Sequence, residues 1–297
     1  MIWVVSPMLH DTVSFLRLRT ELRRAVDGSS SAGPLQFLVV DDSAGSDDEV
    51  AQLHEFDDVA VLTPPFNLGH QRAIVYGLRH IAPDLADHDV VVTMDSDGED
   101  QPDDVPRLLA ALAESGSALV LAVRTKRSER LLFRLLYVMF RVFFRLLTGT
   151  TVMSGNFAAQ RADSLRATVN HPSFDLCYSS TLLALRRSTT KVPCARGRRF
   201  AGRSRMNTST LISHGIRLLL PFAERVAGRM LVAAASTFIV FVTIVVLAAT
   251  GIVDVHGGTP GFALVALSAV AFVTTFIGFL VLLTGYSRQS GGGIGST

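Results

Sequence analysis

The chain of 297 residues is 48% hydrophobic and carries a net charge of only +2, which excludes a disordered or uniformly charged polypeptide and leaves enough length for one sizeable core. The small total hides a division, because residues 1–110 hold 20 Asp and Glu against 7 Lys and Arg, whereas residues 111–229 hold 5 against 20. That swing points to cations as partners of the acidic half and to phosphates or anionic lipid as partners of the basic half.

In chain order, “IWVVSPML” reads as a strand, and the opening “MIWVVSPMLHDT” has neither the basic n-region nor the small-residue cleavage site of a signal peptide. “TVSFLRLRTELRRAV” is a helix, “GSSSAGP” a loop, and “LQFLVV” a strand that stops at Asp41 and Asp42. “VAVLTP” and “DVVVTM” are further strands with the helical stretch “GHQRAIVYGLRHIA” between them. Pro102 opens another helix, and “SALVLAVR” is one more strand. Apolar runs too short to be helices, alternating with helices, predict an α/β fold with an open, mostly parallel sheet covered on both faces. Ligands of such sheets bind beyond the carboxyl ends of the strands, where both “VVDD” and “TMDSD” end.

Asp95, Asp97, Glu99 and Asp100 follow one buried strand. Carboxylates that close together repel unless a cation joins them, and hard divalent ions prefer carboxylate and phosphate oxygens, so a metal-bound diphosphate is expected here. An EF-hand is excluded, because Gly98 stands fourth rather than sixth from Asp95 and the twelfth place is Pro106 instead of Glu. The dipole of the following helix accounts for Asp100, Asp103 and Asp104 but leaves Asp95 and Asp97 unexplained.

The basic half reaches a membrane. In “RLLFRLLYVMFRVFFR”, Arg130, Arg134, Arg141 and Arg145 fall at about 0°, 40°, 20° and 60° around a helix, one stripe on an otherwise apolar surface. A helix over about 129–147 is expected, either lying in the bilayer interface or packed on the core with its stripe in water. A juxtamembrane helix over 209–229, kinked at Pro221, leads into two apolar spans within 230–285, and 286–297 is read as a disordered tail. Arg217, Arg225 and Arg229 before the first span and Arg288 after the second, against the linker “DVHGGTP” without Lys or Arg, predict a cytoplasmic head over 1–208 and both termini in the cytoplasm. The spans tether the basic half to a bilayer, so nucleic acid is not expected as its partner. Cys177 and Cys194 lack metal-site and disulfide-framework spacing and fit a reducing compartment.

The blocks “VVDDSAGSDD”, “NLGHQRAIVYGL” and “MDSDGEDQPDDVPRL”, in that order, resemble the inverting glycosyltransferases of family 2. “VRTKRSERLLFRLLY”, “SGNFAAQR” and “RGRRFAGRSRMNTSTLISHGI” resemble the subgroup that includes dolichyl-phosphate mannose synthase and the bacterial polyprenyl-phosphate glucosyltransferases, and the likeness covers most of residues 2–285. The resemblance implies the GT-A fold, a divalent metal (Mg2+ or Mn2+), a nucleotide-sugar donor of the UDP-glucose or GDP-mannose type, and polyprenyl phosphate as acceptor. It implies that Asp41 and Asp42 contact the nucleobase and ribose, Asp95 the nucleotide and metal, and Asp97 the metal and donor diphosphate. His70 and Arg72 are donor-side candidates by the same likeness, while the helix start they occupy explains them equally well. Arg199, Arg203 and Arg205, with Arg124 and Arg127, are the acceptor-phosphate candidates; the family more often has Lys where Arg205 stands.

Two departures bear on mechanism. “SPMLHDT” replaces the family's usual Pro-x-Tyr-Asn-Glu, and Asn156 stands where many relatives carry an Asp proposed as general base. Asn cannot accept a proton at neutral pH. A phosphate monoester, with a second pKa near ~6, is mostly dianionic at pH 7 and needs positioning more than deprotonation, so Asn156 favours a phosphate acceptor over a hydroxyl. The expected function is transfer of a sugar to polyprenyl phosphate at the cytoplasmic face, by a chain whose oligomeric state, a homo-oligomer included, stays open. The alternatives are a family 2 transferase extending a saccharide or glycolipid, and a non-catalytic membrane scaffold with the same fold.

Overall fold

A computed structural model describes residues 1–29, 33–124, 131–152, 156–201, 208–254, 256 and 260–290. Arg127, Arg203 and Arg205 lie outside the described residues. Two compact units emerge, one of Met1–Val138 with Val152–Pro221 and one of Met139–Thr151 with Phe222–Thr297.

The first unit is built on a seven-stranded sheet of β1 (Ile2–Met8), β2 (Leu35–Asp41), β3 (Val59–Leu62), β4 (Val90–Thr93), β5 (Leu119–Arg124), β6 (Ala158–Arg161) and β7 (Thr189–Cys194). Their order is β3-β2-β1-β4-β6-β5-β7. β6 runs antiparallel to both its neighbours, and the other pairings are parallel. β1, β2, β4 and β5 are buried on both faces over most of their length, which is why they read as unbroken apolar runs. Val4, Phe37, Val39, Val92 and Val120 point to one face, where they meet Phe15, Leu18 and Leu22 of α1 (Thr12–Asp27) and Leu108 and Leu112 of α3 (Val105–Ser115). Val5, Leu38, Val40, Val91 and Leu121 point to the other, against α2 (His70–Ile81), α5 (Ala162–Thr168) and α6 (Tyr178–Ala184). The period-2 alternation of each strand thus divides one sheet between two cores. On that second face α2 lies so close that a Cβ on Gly77 would meet Val40 Cγ2 at 2.6 Å.

α4 (Leu131–Thr148) buries Phe144 yet leaves Met139, Val142, Phe143 and Leu146 more than half exposed. α7 (Thr208–Leu219) ends in a turn at Leu220–Phe222 that contains Pro221. Next come α8 (Ala223–Ala249) and α9 (Pro260–Ser290). α9 continues through Tyr286 to Ser290, so the first five residues of the expected tail are helical instead, and 291–297 lie outside the described residues. Within the second unit, α8 and α9 pack through Phe238 and Phe272, with ring centroids 5.1 Å apart, and through Met230 against Gly278. Both helices are long and apolar enough to cross a membrane, and only 6% of each apolar window is buried, unlike a core helix.

Candidate active site

The parallel strands β1, β2 and β4 bring their carboxyl ends to one edge, and the acids collect there because they lie at the end of β2 or within a few residues after β4. The Asp41 carboxylate accepts from the Ser43 amide at 3.0 Å and from Thr63 Oγ1 at 3.4 Å. The Asp42 carboxylate takes the amides of Leu68 and Gly69 at 2.6 and 2.9 Å, and the Asp42 carbonyl accepts from Asn67 Nδ2. Burial raises the Asp42 pKa above its ordinary value, and those two amides offset part of the shift. Asp42 thereby fixes the approach to α2, whose first residue is His70.

His70 Nε2 is 3.1 Å from Asp95 Oδ1 and 2.7 Å from Asn156 Nδ2. A backbone amide at the far end decides what this nitrogen does. The Ser179 N–H can only donate, and it does so to Gln71 Oε1 at 3.0 Å; Gln71 Nε2 then donates to Asn156 Oδ1 at 2.6 Å, which leaves Asn156 Nδ2 to donate to Nε2 of the neutral His70 ring. Asp95 Oδ1 faces the same nitrogen at 3.1 Å and forms an ion pair with the ring when it is protonated. Burial lowers the His70 pKa, but Asp95, with Asp100 and Asp97 behind it, raises it further, and the net value lies above the ordinary one. Burial likewise pushes the Asp95 carboxyl up, and His70, Arg124 and Arg199 more than reverse that. The Asn156 carbonyl accepts from Thr93 Oγ1, which also contacts the Tyr178 hydroxyl at 2.9 Å.

Asp97 and Glu99 form the outer part of the cluster. Asp97 Oδ1 accepts from the Glu99 amide at 2.9 Å, and Oδ2 lies 2.8 Å from Arg199 Nη2. Burial and the neighbouring Asp95 raise the Asp97 pKa, so the site favours any cation that relieves it. Glu99 is gripped by Arg196 through both oxygens and by Arg199 Nε at 2.9 Å, and these cations outweigh its burial to hold its pKa low. Asp100 accepts from the Asp95 amide and from Arg124 Nη2 at 3.4 Å; burial, then the charge of Asp95, pushes its carboxyl up to about 7.

The structure therefore brings Asp95, Asp97, His70, Asn156, Arg124 and Arg199 to one edge, with Asp41 and Asp42 at the neighbouring strand end. Arg72 turns elsewhere, with Nε on the Asp175 carbonyl at 3.2 Å. Sequence reasoning gave no individual role to Gln71, Glu99 or Arg196 and assigned Asp100 to the helix dipole. The acids were visible in the same stretch as Asp97, whereas nothing local marks the Gln71 relay.

Asp95, paired with an ionisable imidazole, and the cation-seeking Asp97 suit a hard divalent metal. Among the described residues no group of three or more His, Cys, Asp and Glu is placed to hold a metal by protein ligands alone. A metal shared with a substrate's phosphates takes one or two carboxylates from the protein, the number that Asp95 and Asp97 would supply.

A sequence profile of Glycosyl transferase family 2 matches residues 13–174, more than half of the chain. The chain belongs to glycosyl transferase family 2. Among its curated relatives, the undecaprenyl-phosphate 4-deoxy-4-formamido-L-arabinose transferase of Klebsiella pneumoniae is 31% identical over 132 residues, 42% of this chain and 37% of that protein. The Salmonella typhimurium protein of the same name is 32% identical over 136 residues, 43% of this chain and 38% of that one. The chain thus matches under two fifths of the length of these relatives. A solved structure of glucosyl-3-phosphoglycerate synthase from Mycobacterium tuberculosis, in complex with Mn2+, uridine diphosphate and phosphoglyceric acid, aligns with a TM-score of 0.51 at 19% identity, covering 76% of this chain and 78% of that one. Mannosyl-3-phosphoglycerate synthase from Rubrobacter xylanophilus gives 0.50 at 14% identity, covering 76% and 73%. At such identities the likeness carries the fold alone. This family 2 chain has the GT-A arrangement of an α/β sheet.

Proposed function

We propose that the protein is a membrane-anchored inverting glycosyltransferase that moves a sugar from a nucleotide-diphosphate donor to polyprenyl phosphate at the cytoplasmic face. The meeting of Asp95 and Asp97 with Arg124 and Arg199 at one sheet edge is the observation that carries this reading, since the reaction joins a metal-bound diphosphate to a second phosphate. The relatives named for undecaprenyl phosphate support the acceptor class, and the exposed apolar side of α4, with α8 and α9, supports delivery from a bilayer.

An oxygen of the acceptor phosphate attacks the anomeric carbon, the bond to the donor's β-phosphate breaks with inversion, and the nucleoside diphosphate departs with the electron pair. Asp95 and Asp97 would hold a divalent metal, which supplies charge stabilisation for the leaving diphosphate. The Asn156 amide, committed to Gln71 and His70, orients the imidazole and takes no proton. A dianionic phosphate nucleophile asks for none to be taken. Arg199, together with Arg124, Arg127, Arg203 and Arg205, would position the acceptor's phosphate.

Purified protein given labelled UDP-glucose or GDP-mannose, Mg2+ or Mn2+, and polyprenyl phosphate should form an organic-extractable product whose sugar is released by mild acid. Equal transfer to polyprenol or to a saccharide would replace this reading with the saccharide-extending transferase. Binding of donor without turnover to any acceptor would favour the scaffold.

A further inference from the structure

The loop over 195–201 is laced to the acidic loop by its backbone. The Gly197 amide donates to the Glu99 carbonyl and the Phe200 amide to the Asp97 carbonyl, both at 2.8 Å. Gly98 has φ +86°, and the place a Cβ would take is filled by the Phe200 ring, 2.7 Å away; a Cβ on Gly197 would meet the Gly98 carbonyl oxygen at 2.3 Å. Arg17 covers the same ring, its guanidinium carbon 4.3 Å from the centroid. Arg199 therefore projects from a backbone that is pinned beside Asp97, and its reach is set by side-chain torsions.

Each oxygen of Asp97 has its own partner. Oδ1 is taken by the Glu99 amide, and Oδ2 is the atom that Arg199 Nη2 approaches at 2.8 Å. A divalent ion ligated by Oδ2 at about 2.1 Å would face that guanidinium at close range, and like charges so near one oxygen exclude each other. Withdrawal of Arg199 strands no acid, because Glu99 keeps the two-oxygen grip of Arg196.

We propose that Arg199 is an exchangeable counter-cation of Asp97, displaced by the divalent metal and thereby handed to the acceptor's phosphate. The proposal rests on the glycosyltransferase reading for the acceptor, yet its first consequence concerns the metal alone. An arginine that served only as acceptor contact or loop staple would leave metal affinity unchanged or weaken it on removal. A competing cation does the opposite.

The test is a Mn2+ titration of the full-length protein in detergent without donor, with free Mn2+ read by its electron paramagnetic resonance signal. Arg199→Gln should bind Mn2+ about tenfold more tightly than the parent, within the usual range of coupling between neighbouring sites. Arg196→Gln, which removes the same charge from Glu99 but not from Asp97 Oδ2, should gain clearly less, and Asp97→Asn should lose the site. Reciprocity requires that a short-chain prenyl phosphate tighten Mn2+ binding in the parent and not in Arg199→Gln. If Arg199→Gln fails to fold, Arg199→Lys, which keeps the charge and loses the fork, should show a smaller gain of the same sign. Mn2+ affinity in Arg199→Gln no higher than in the parent, or no higher than in Arg196→Gln, overturns the exchange. A failed polyprenyl phosphate assay, with the Mn2+ result intact, would overturn the acceptor instead.

Discussion

Asp42 shows how much of this site is scaffolding. Both of its carboxylate oxygens are spent on amides of the 67–69 loop, and the next residue is the His70 that contacts Asn156 and faces Asp95. Asp42→Ala should leave two amide donors without partners and lower the stability of the head by about 1–3 kcal/mol, measured by thermal or urea denaturation in detergent. Asp42→Asn, whose single oxygen satisfies one amide, should cost less. Equal stability in all three proteins would show that the loop finds other acceptors and that Asp42 serves the donor alone. The positions of Asp42, Asp95 and Asp97 were legible in the sequence because each follows an apolar strand run directly. The partnership of Arg199 with Asp97 was not, because residues about a hundred positions apart are brought together by the sheet order and by the backbone bonds of Gly197 to Glu99 and Phe200 to Asp97.

Among the elements, legibility followed apolarity. The runs behind β1 to β5 stand out because each is an apolar stretch, while β6 is “AAQR” and β7 is “TTKVPC”, too short or too polar for an unaided reading. β7 sits at the sheet's edge beside β5, where Lys191 and Pro193 are tolerated. The other edge is secured by charge. Arg19 and Arg23 of α1 converge on Asp58, next to the start of β3, with contacts as short as 2.5 Å. Burial alone would push the Asp58 carboxyl up, but the two arginines hold it below the ordinary value. A depressed folded-state pKa contributes stability that is present above the unfolded value, near 3.9, and is lost as the pH falls through the folded one. Asp58→Asn should therefore lower stability by about 1–3 kcal/mol at pH 7, with Arg23, 42% exposed, contributing the smaller share. The difference between parent and variant should hold down to about pH 5 and shrink below about pH 4. A difference that grows as the pH falls would mean that Asp58 is not paired as described.

At the scale of the whole molecule, charge decides which side of a bilayer each end of the chain occupies. The apolar windows of α8 and α9 are almost entirely exposed, and no charged residue occurs between Arg229 and Asp254. The arginines cluster before the first span, at Arg217, Arg225 and Arg229, and after the second, at Arg288, whereas the linker between the spans has none. An excess of basic residues marks the cytoplasmic flank, so the pattern predicts the linker outside and the sheet domain inside, the side on which the proposed transfer needs it. In intact cells Gly257→Cys should react with a membrane-impermeant maleimide, and Gly292→Cys should react only after permeabilisation. The parent should label weakly under either condition, because Cys177 and Cys194 are both buried. Labelling of Gly292→Cys but not of Gly257→Cys in intact cells would put the carboxylate edge on the outer face. Asp95, Asp97 and the arginines opposite them would then lie on the side away from cytosolic nucleotide-sugars, and the transfer proposed for them would have no substrate to act on.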